Sequence, residues 1–296
     1  MHTREDKITQ IIGHIVMMFL AICSILPFVL LIIASFTDNL TALRDGFSFL
    51  PKKWSTGAYQ YILNEWATIG RAYGITVFVT VVGTTLSLFI TSMLGYALTK
   101  KGLPGRGILM FLVVFTLLFH GGLVPSYYVY SNIFHIKDTI WALIVPGLLM
   151  NGFTIILVKN YFSTNIPDTL VEAAKMDGAN EFRIFFRIVL PLSLPILATI
   201  GLMSAIGYWN DWTNGLYYLT DSKLFSIQNV MNKINENVNF LANNSQNLGG
   251  TVNAAELPST TIRMAIAAVG ILPILIAYPF FQKYFVKGIT IGAVKE

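Results

Sequence analysis

Apolar residues in this chain come in long runs, not at the spacing of an amphipathic helix or an alternating strand. The runs cover residues 11–35, 72–99, 107–130, 139–160, 188–212 and 262–283. A helix needs about 20 apolar residues to cross the hydrocarbon core of a bilayer. Lipid offers no partner to backbone N–H and C=O groups, so each run is predicted to satisfy them internally, as a helix. The pattern therefore predicts an all-α polytopic membrane protein with six transmembrane helices. The first run follows the polar residues His2 to Lys7, contains Pro27 and is longer than the apolar core of a signal peptide. It reads as a retained first transmembrane helix.

Two intervening segments are long. Residues 37–70 hold Pro51, Trp54, Trp66 and several tyrosines, and predict a short amphipathic helix on the membrane surface. Residues 213–261 are rich in asparagine and contain Gly249-Gly250. That composition suits a solvated loop.

Composition agrees with the pattern. The chain is 54% hydrophobic and 12% charged, against about 25% charged in a soluble domain. A large soluble α/β protein is set aside because the apolar runs are too long and recur too often. The net charge of +5 is spread over several loops, without the clustered basic face that nucleic-acid binding needs. Cys23 is the only cysteine, so neither an internal disulfide nor a thiolate metal cluster is possible. His2, His14, His120 and His135 are scattered. None has a partner at ligand spacing, so no metal and no catalytic constellation are expected.

Charge also orients the spans. Lysine and arginine in short loops favour the cytoplasm. With six spans, the N-terminus, the loop Lys100 to Arg106, the loop 159–187 and the C-terminal tail share one side. That side carries 12 of the 20 Lys and Arg residues, against 8 opposite. Both termini are therefore expected in the cytoplasm of a multi-pass cell-membrane protein.

The loop on that side carries the most specific pattern. Pro167 and Asp168 suit the first turn of a helix, by fixed φ and by charge against the macrodipole. Leu170, Val171, Ala173, Ala174 and Met176 make that helix apolar. Gly178 is placed to end it in the left-handed conformation, and Asn180 to cap a second short helix bearing Phe182, Phe185 and Phe186. An apolar surface of this kind needs a cover. A lipid surface is the lesser option, because anionic headgroups would repel Glu172, Asp177 and Glu181.

Glu172-Ala173-Ala174, Asp177-Gly178-Ala179 and then Ile188, Leu190 and Pro191 resemble the EAA motif of binding-protein-dependent ABC permeases, which have the MetI-like fold of type I importers. In that family the loop forms coupling helices that sit in a cleft of the nucleotide-binding subunit. The resemblance implies that Glu172, Ala173, Ala174, Asp177, Gly178, Ala179 and Phe182 couple to an ATPase. Residues 208–224 and 278–295 are similar to carbohydrate-uptake permeases of the LplC/YtcP type, so the likeness runs over essentially the whole chain. It implies residues 1–70 as first transmembrane helix and outer loop, and 71–290 as the permease core with coupling helices at 167–187. It also implies a second homologous permease, two ABC ATPase subunits, an extracytoplasmic solute-binding protein and a sugar or oligosaccharide as cargo. No Gly-rich phosphate loop is present, so ATP and Mg are expected on the ATPase.

For the cargo path the candidates are Tyr208, Trp209, Asn210, Asp211 and Trp212, near the outer end of the fifth run, and Asn151. Flat aromatic faces suit sugar rings, and Asn and Asp suit hydroxyls. An interfacial aromatic belt accounts for the same tryptophans, and helix–helix contact accounts equally for Asn151 within the fourth run. His120-Gly121-Gly122 and Pro125 break the third run, which predicts a kink or backbone lining a cavity. Two rivals remain: the same fold importing another solute, and a secondary transporter working alone. The second needs ionisable groups inside the spans, and the run interiors hold almost none.

Overall fold

A computed structural model describes residues 4–244 and 260–293, with side chains over 9–237 and most of 260–279. Residues 245–259, within the segment read as a solvated loop, and the side chains of 280–295 lie outside the described residues. The described chain is α-helical, with one isolated β-bridge between Thr37 and Trp54 and no strand.

Two described helices are long and apolar enough to cross a membrane: α1 (Arg4–Ser35) and α4 (Trp66–Thr99). A third arises if a pair bent by 81°, Glu181–Leu192 with Leu194–Asn210, is one span. The third and fourth runs are shorter or broken. The third becomes α5 (Arg106–Leu118), an opening at 119–122, then α6 (Leu123–Tyr128), continued by a wide turn over Val129–Ile133. At about 1.5 Å per residue, the 13 residues of α5 fall short of the bilayer core. The fourth run becomes α7 (Trp141–Ile144) and α8 (Gly152–Asn165), parted at Pro146-Gly147. Proline disfavours helix in the residue before it, and that signal lay unread inside an apolar stretch. The last run becomes α15 (Thr260–Ala293), with Pro273 and Pro279 inside it.

The chain divides into two units: residues 1–69 with 231–272, and residues 70–230 with 273–296. In the first, the most apolar stretch of α1 buries none of its residues within this chain. Its Ser24 hydroxyl donates to its own helix, to the Leu20 carbonyl at 2.8 Å, as a hydroxyl facing lipid must. Where one amphipathic helix was expected, α2 (Asn39–Asp45) and α3 (Gly57–Asn64) form. Asp38 caps α2 and pairs with Lys53 at 3.3 Å. Ser35 and Tyr59 share a hydrogen bond of 2.8 Å.

Among the described residues of the second unit, buried side chains form three clusters. One gathers Val79, Ala142, Leu143, Ile144, Tyr208, Tyr218, Leu219 and Phe225. Another gathers Val158, Phe162, Ile166, Ile184, Phe185, Val189 and Ile200. A small third holds Leu98, Val113 and Ile155. Between helices in lipid, burial gives little transfer energy, because acyl chains are as apolar as leucine; close packing and polar contacts must hold the unit. A Cβ at Gly83 would lie 2.5 Å from the Tyr208 ring, so only glycine lets α4 and that ring approach. From Tyr208 a hydroxyl then donates to the Ile144 carbonyl at 2.9 Å, tying α12 (Leu194–Asn210) to the broken fourth run.

Candidate functional site

The 168–187 segment folds as its capping residues dictate. Helix α9 (Asp168–Met176) starts after Pro167, with Asp168 in its first turn and Lys175 in its last. Gly178 has φ +78°. Its N–H donates to the Lys175 carbonyl, and the Ala179 N–H to the Ala174 carbonyl, each at 3.0 Å. This paired closure, with a left-handed residue just past the helix, is the Schellman motif. Asn180 then caps α10 (Glu181–Ile184), its side-chain oxygen accepting from the Arg183 N–H at 2.8 Å. A wide turn at Phe185–Val189 and α11 (Leu190–Leu192) lead on to the 81° bend.

The seven candidate coupling residues do not all face outward. Glu172, Ala173, Asp177, Gly178 and Phe182 are exposed. Ala174 and Ala179 are half-buried and pack against the chain's own Val158–Ile200 cluster. Of the three aromatics, Phe182 and Phe186 are exposed, whereas Phe185 is buried with its ring 5.3 Å from that of Tyr96. Met176, 89% exposed, extends the outward apolar face.

Glu181, read from sequence only as a polar residue, is the hub of the segment. Its carboxylate accepts from Lys175 at 2.8 Å, from Lys100 at 3.1 Å and from the Tyr96 hydroxyl at 2.6 Å. Lys100 also sits 4.2 Å over the Tyr96 ring. Partial burial pushes the Glu181 carboxyl up, but the bonds from Lys175, Tyr96 and Lys100 outweigh it and hold the group down at about 2.

At the far end of α12 the candidate path residues separate. Tyr208 and Trp209 are buried, 3% and 6% exposed. The Trp209 ring meets Tyr73 edge-on at 5.7 Å. It also borders an apolar groove of about 210 Å³ with Val77, Thr80, Val81, Ile206 and Pro273. Asn210 donates to its own helix, to the Ile206 carbonyl. Asp211, one residue before the N-cap Trp212, accepts from the Thr213 and Asn214 N–H groups in the first turn of α13 (Thr213–Tyr218). Its second carboxylate oxygen is buried without a hydrogen-bond partner among the described residues. Trp212 alone presents its ring outward, at 44% exposure. Asn151 does not stand within a helix, as the sequence suggested. It is the N-cap of α8, accepting from Phe153 and Thr154 N–H at 2.9 and 3.2 Å.

Sequence reasoning also missed the polar scaffold behind these residues. Asn229, at the start of α14 (Ile227–Asn244), donates to the Trp212 carbonyl at 2.7 Å, and Asn214 to the Pro146 carbonyl at 3.0 Å. Asp138 accepts from the Thr220 hydroxyl at 2.6 Å, the Thr220 N–H and the Asp221 N–H. The Thr220 hydroxyl, then these amides, hold its carboxyl down at about 2. The asparagine-rich composition was the one available signal, and it pointed to a loop. Among the described residues no group of three His, Cys, Asp and Glu is placed to hold a metal.

The sequence pattern described as "Binding-protein-dependent transport system inner membrane component" matches residues 7–291. The chain belongs to this family. It is a membrane permease subunit of ABC transport, a transport component and not an enzyme. This permease is 41% identical over 286 residues to the polygalacturonan/rhamnogalacturonan transport system permease protein YtcP of Bacillus subtilis, covering 97% of each chain. It is 38% identical over 294 residues to protein LplC of the same organism, covering 99% of this chain and 97% of that one. A chain from the crystal structure of a bacterial ABC transporter involved in import of the acidic polysaccharide alginate superposes with a TM-score of 0.79. It is 30% identical in sequence, and the match covers 96% of this permease and 99% of that chain.

Proposed function

We propose that this permease imports a sugar or oligosaccharide, with the exposed hairpin of α9 and α10 as its ATPase-docking element. The observation that carries the coupling role is that hairpin: two short helices closed at a left-handed glycine, with Met176 and Phe182 turned outward. On this reading Glu172, Ala173, Asp177, Gly178 and Phe182 meet the ATPase, while Ala174 and Ala179 fix the hairpin to the permease. ATP and Mg belong to two ATPase subunits, and a second permease and a solute-binding protein complete the importer. Six spans, with 119–122, 145–151 and Ser193 as interruptions, put both termini in the cytoplasm. Residues 1–70 then form the first helix and outer loop, and 71–290 the core. A carbohydrate cargo is supported by relatives named for polygalacturonan/rhamnogalacturonan and alginate transport. Trp212 is the path candidate with an open ring face; Trp209 contributes through the groove it borders.

The test is Gly178→Trp. The φ of +78° disfavours any L-residue, and an indole there obstructs the approach of a partner. The variant is expected to reach the membrane but to lose ATPase co-purification and uptake of an oligogalacturonide mixture. Wild-type co-purification and uptake would sink the docking role.

A further inference from the structure

We infer that Glu181 is a positioning residue for transport: it braces the ATPase-docking hairpin against α4, so that movement of the hairpin reaches α4 and is not lost at its glycine joint. This rests on the docking role proposed above for residues 168–187.

The joint needs a brace. Residues 177–180 link α9 to α10, and around Gly178 a Cβ would meet nothing within 4 Å among the described residues. The joint's own glycine thus adds no packing to that of Ala174 and Ala179 on either side of it. Glu181 spans it. One carboxylate oxygen holds Lys175, in the last turn of α9, and the other holds Tyr96 and Lys100, at the end of α4. Because Glu181 is also the first residue of α10, a single carboxylate joins three helices. Lys100 is doubly fixed, by that carboxylate and by the Tyr96 ring.

Energy is not the reason for this arrangement. Glu181 keeps 49% of its side chain exposed, and exposed ion pairs contribute little to stability. Direction is the reason. The whole of α4, from Thr99 back past Tyr96 to Trp66, is unbroken over 34 residues, and its Val77, Thr80 and Val81 line the groove bordered by Trp209. A rigid helix thus connects the braced hairpin to a cavity on the other end of the unit.

The experiment uses the assembled importer, with companion permease, ATPases and binding protein, in a Cys23→Ser background carrying Val81→Cys as reporter. Maleimide labelling of the reporter is followed with and without ATP–vanadate trapping, beside ATPase co-purification and ATP hydrolysis. Glu181→Gln is expected to keep co-purification and hydrolysis within about twofold while shrinking the nucleotide-dependent change in labelling about tenfold, the scale of a typical coupling energy. Lys100→Arg should keep the change. Adding Lys100→Ala to Glu181→Gln should cost much less than the two single effects summed, since they share the Lys100–Glu181 contact. An unaltered labelling change in Glu181→Gln overturns the brace, and so does a parent with no change at all. Loss of ATPase co-purification in Glu181→Gln overturns it differently, by making Glu181 part of the docking face. Failure of the docking role itself is read separately, as wild-type ATPase capture by Gly178→Trp.

Discussion

Glu181 and Gly215 show how much rests on single atoms. The Glu181 carboxyl titrates at about 2, below its ordinary 4.5. Its contribution is therefore complete above the ordinary value and is lost as pH falls through about 2. Isotope-edited infrared difference spectra between the parent and Glu181→Gln should still show an ionised carboxylate at about pH 3. A protonated band there would mean that the three-donor contact does not form. At Gly215 a Cβ would lie 2.0 Å from the Asn229 side-chain oxygen. Gly215→Ala must displace Asn229 from the Trp212 carbonyl, which keeps its bond from the Leu216 N–H, and leaves the buried Asn229 amide donor without that acceptor. That costs about 1–3 kcal/mol, to be read as a lowered thermal midpoint of the purified complex. An unchanged midpoint would remove Asn229 from the scaffold. Neither residue announced itself in the sequence. Glu181 meets Tyr96 across 85 positions and Asn229 meets Trp212 across 17, and such pairings exist only once the helices are packed.

At the scale of elements, local chemistry was legible and interruptions were less so. Pro167, Asp168, Gly178 and Asn180 dictate their hairpin through caps and a left-handed turn, which are properties of a few neighbouring residues. The His120-Gly121-Gly122 break was visible for the same reason. Pro146-Gly147 carried an equal signal, but it sat inside an apolar run and was counted as span. That miscount also misplaced Asn151. Since Asn151 caps α8, Asn151→Ala should lower stability by about 1 kcal/mol and leave the concentration dependence of uptake unchanged. A weakened apparent affinity at unchanged stability would return Asn151 to the cargo path. The path candidates at 208–212 were legible as a cluster but not as a surface. Aromatic composition says that rings gather there; it does not say which ring is spent on the core, as Tyr208 is, and which faces out, as Trp212 does.

For the whole molecule, the membrane class was plain from run length and scarcity of charge, whereas the span count was not: among the described residues, α1 and α4 are the two helices long and apolar enough to cross by themselves. The proposed orientation rests on charge and has a direct check. In a Cys23→Ser background, an impermeant maleimide added to intact cells should label Lys137→Cys and spare Lys101→Cys until the membrane is opened. The reverse pattern would invert the topology. The elbow at Ser193 adds a mechanical consequence. Its two arms meet at 81°, so they act as a bell crank. On the docking role proposed above, a thrust along the 181–192 arm would have almost no component along α12 and would arrive as a torque about its near end. Trp209, at the far tip of that arm, would then travel farthest. A small stroke at the hairpin would become a sideways sweep at the aromatic end, with no need for the helix to lengthen or slide.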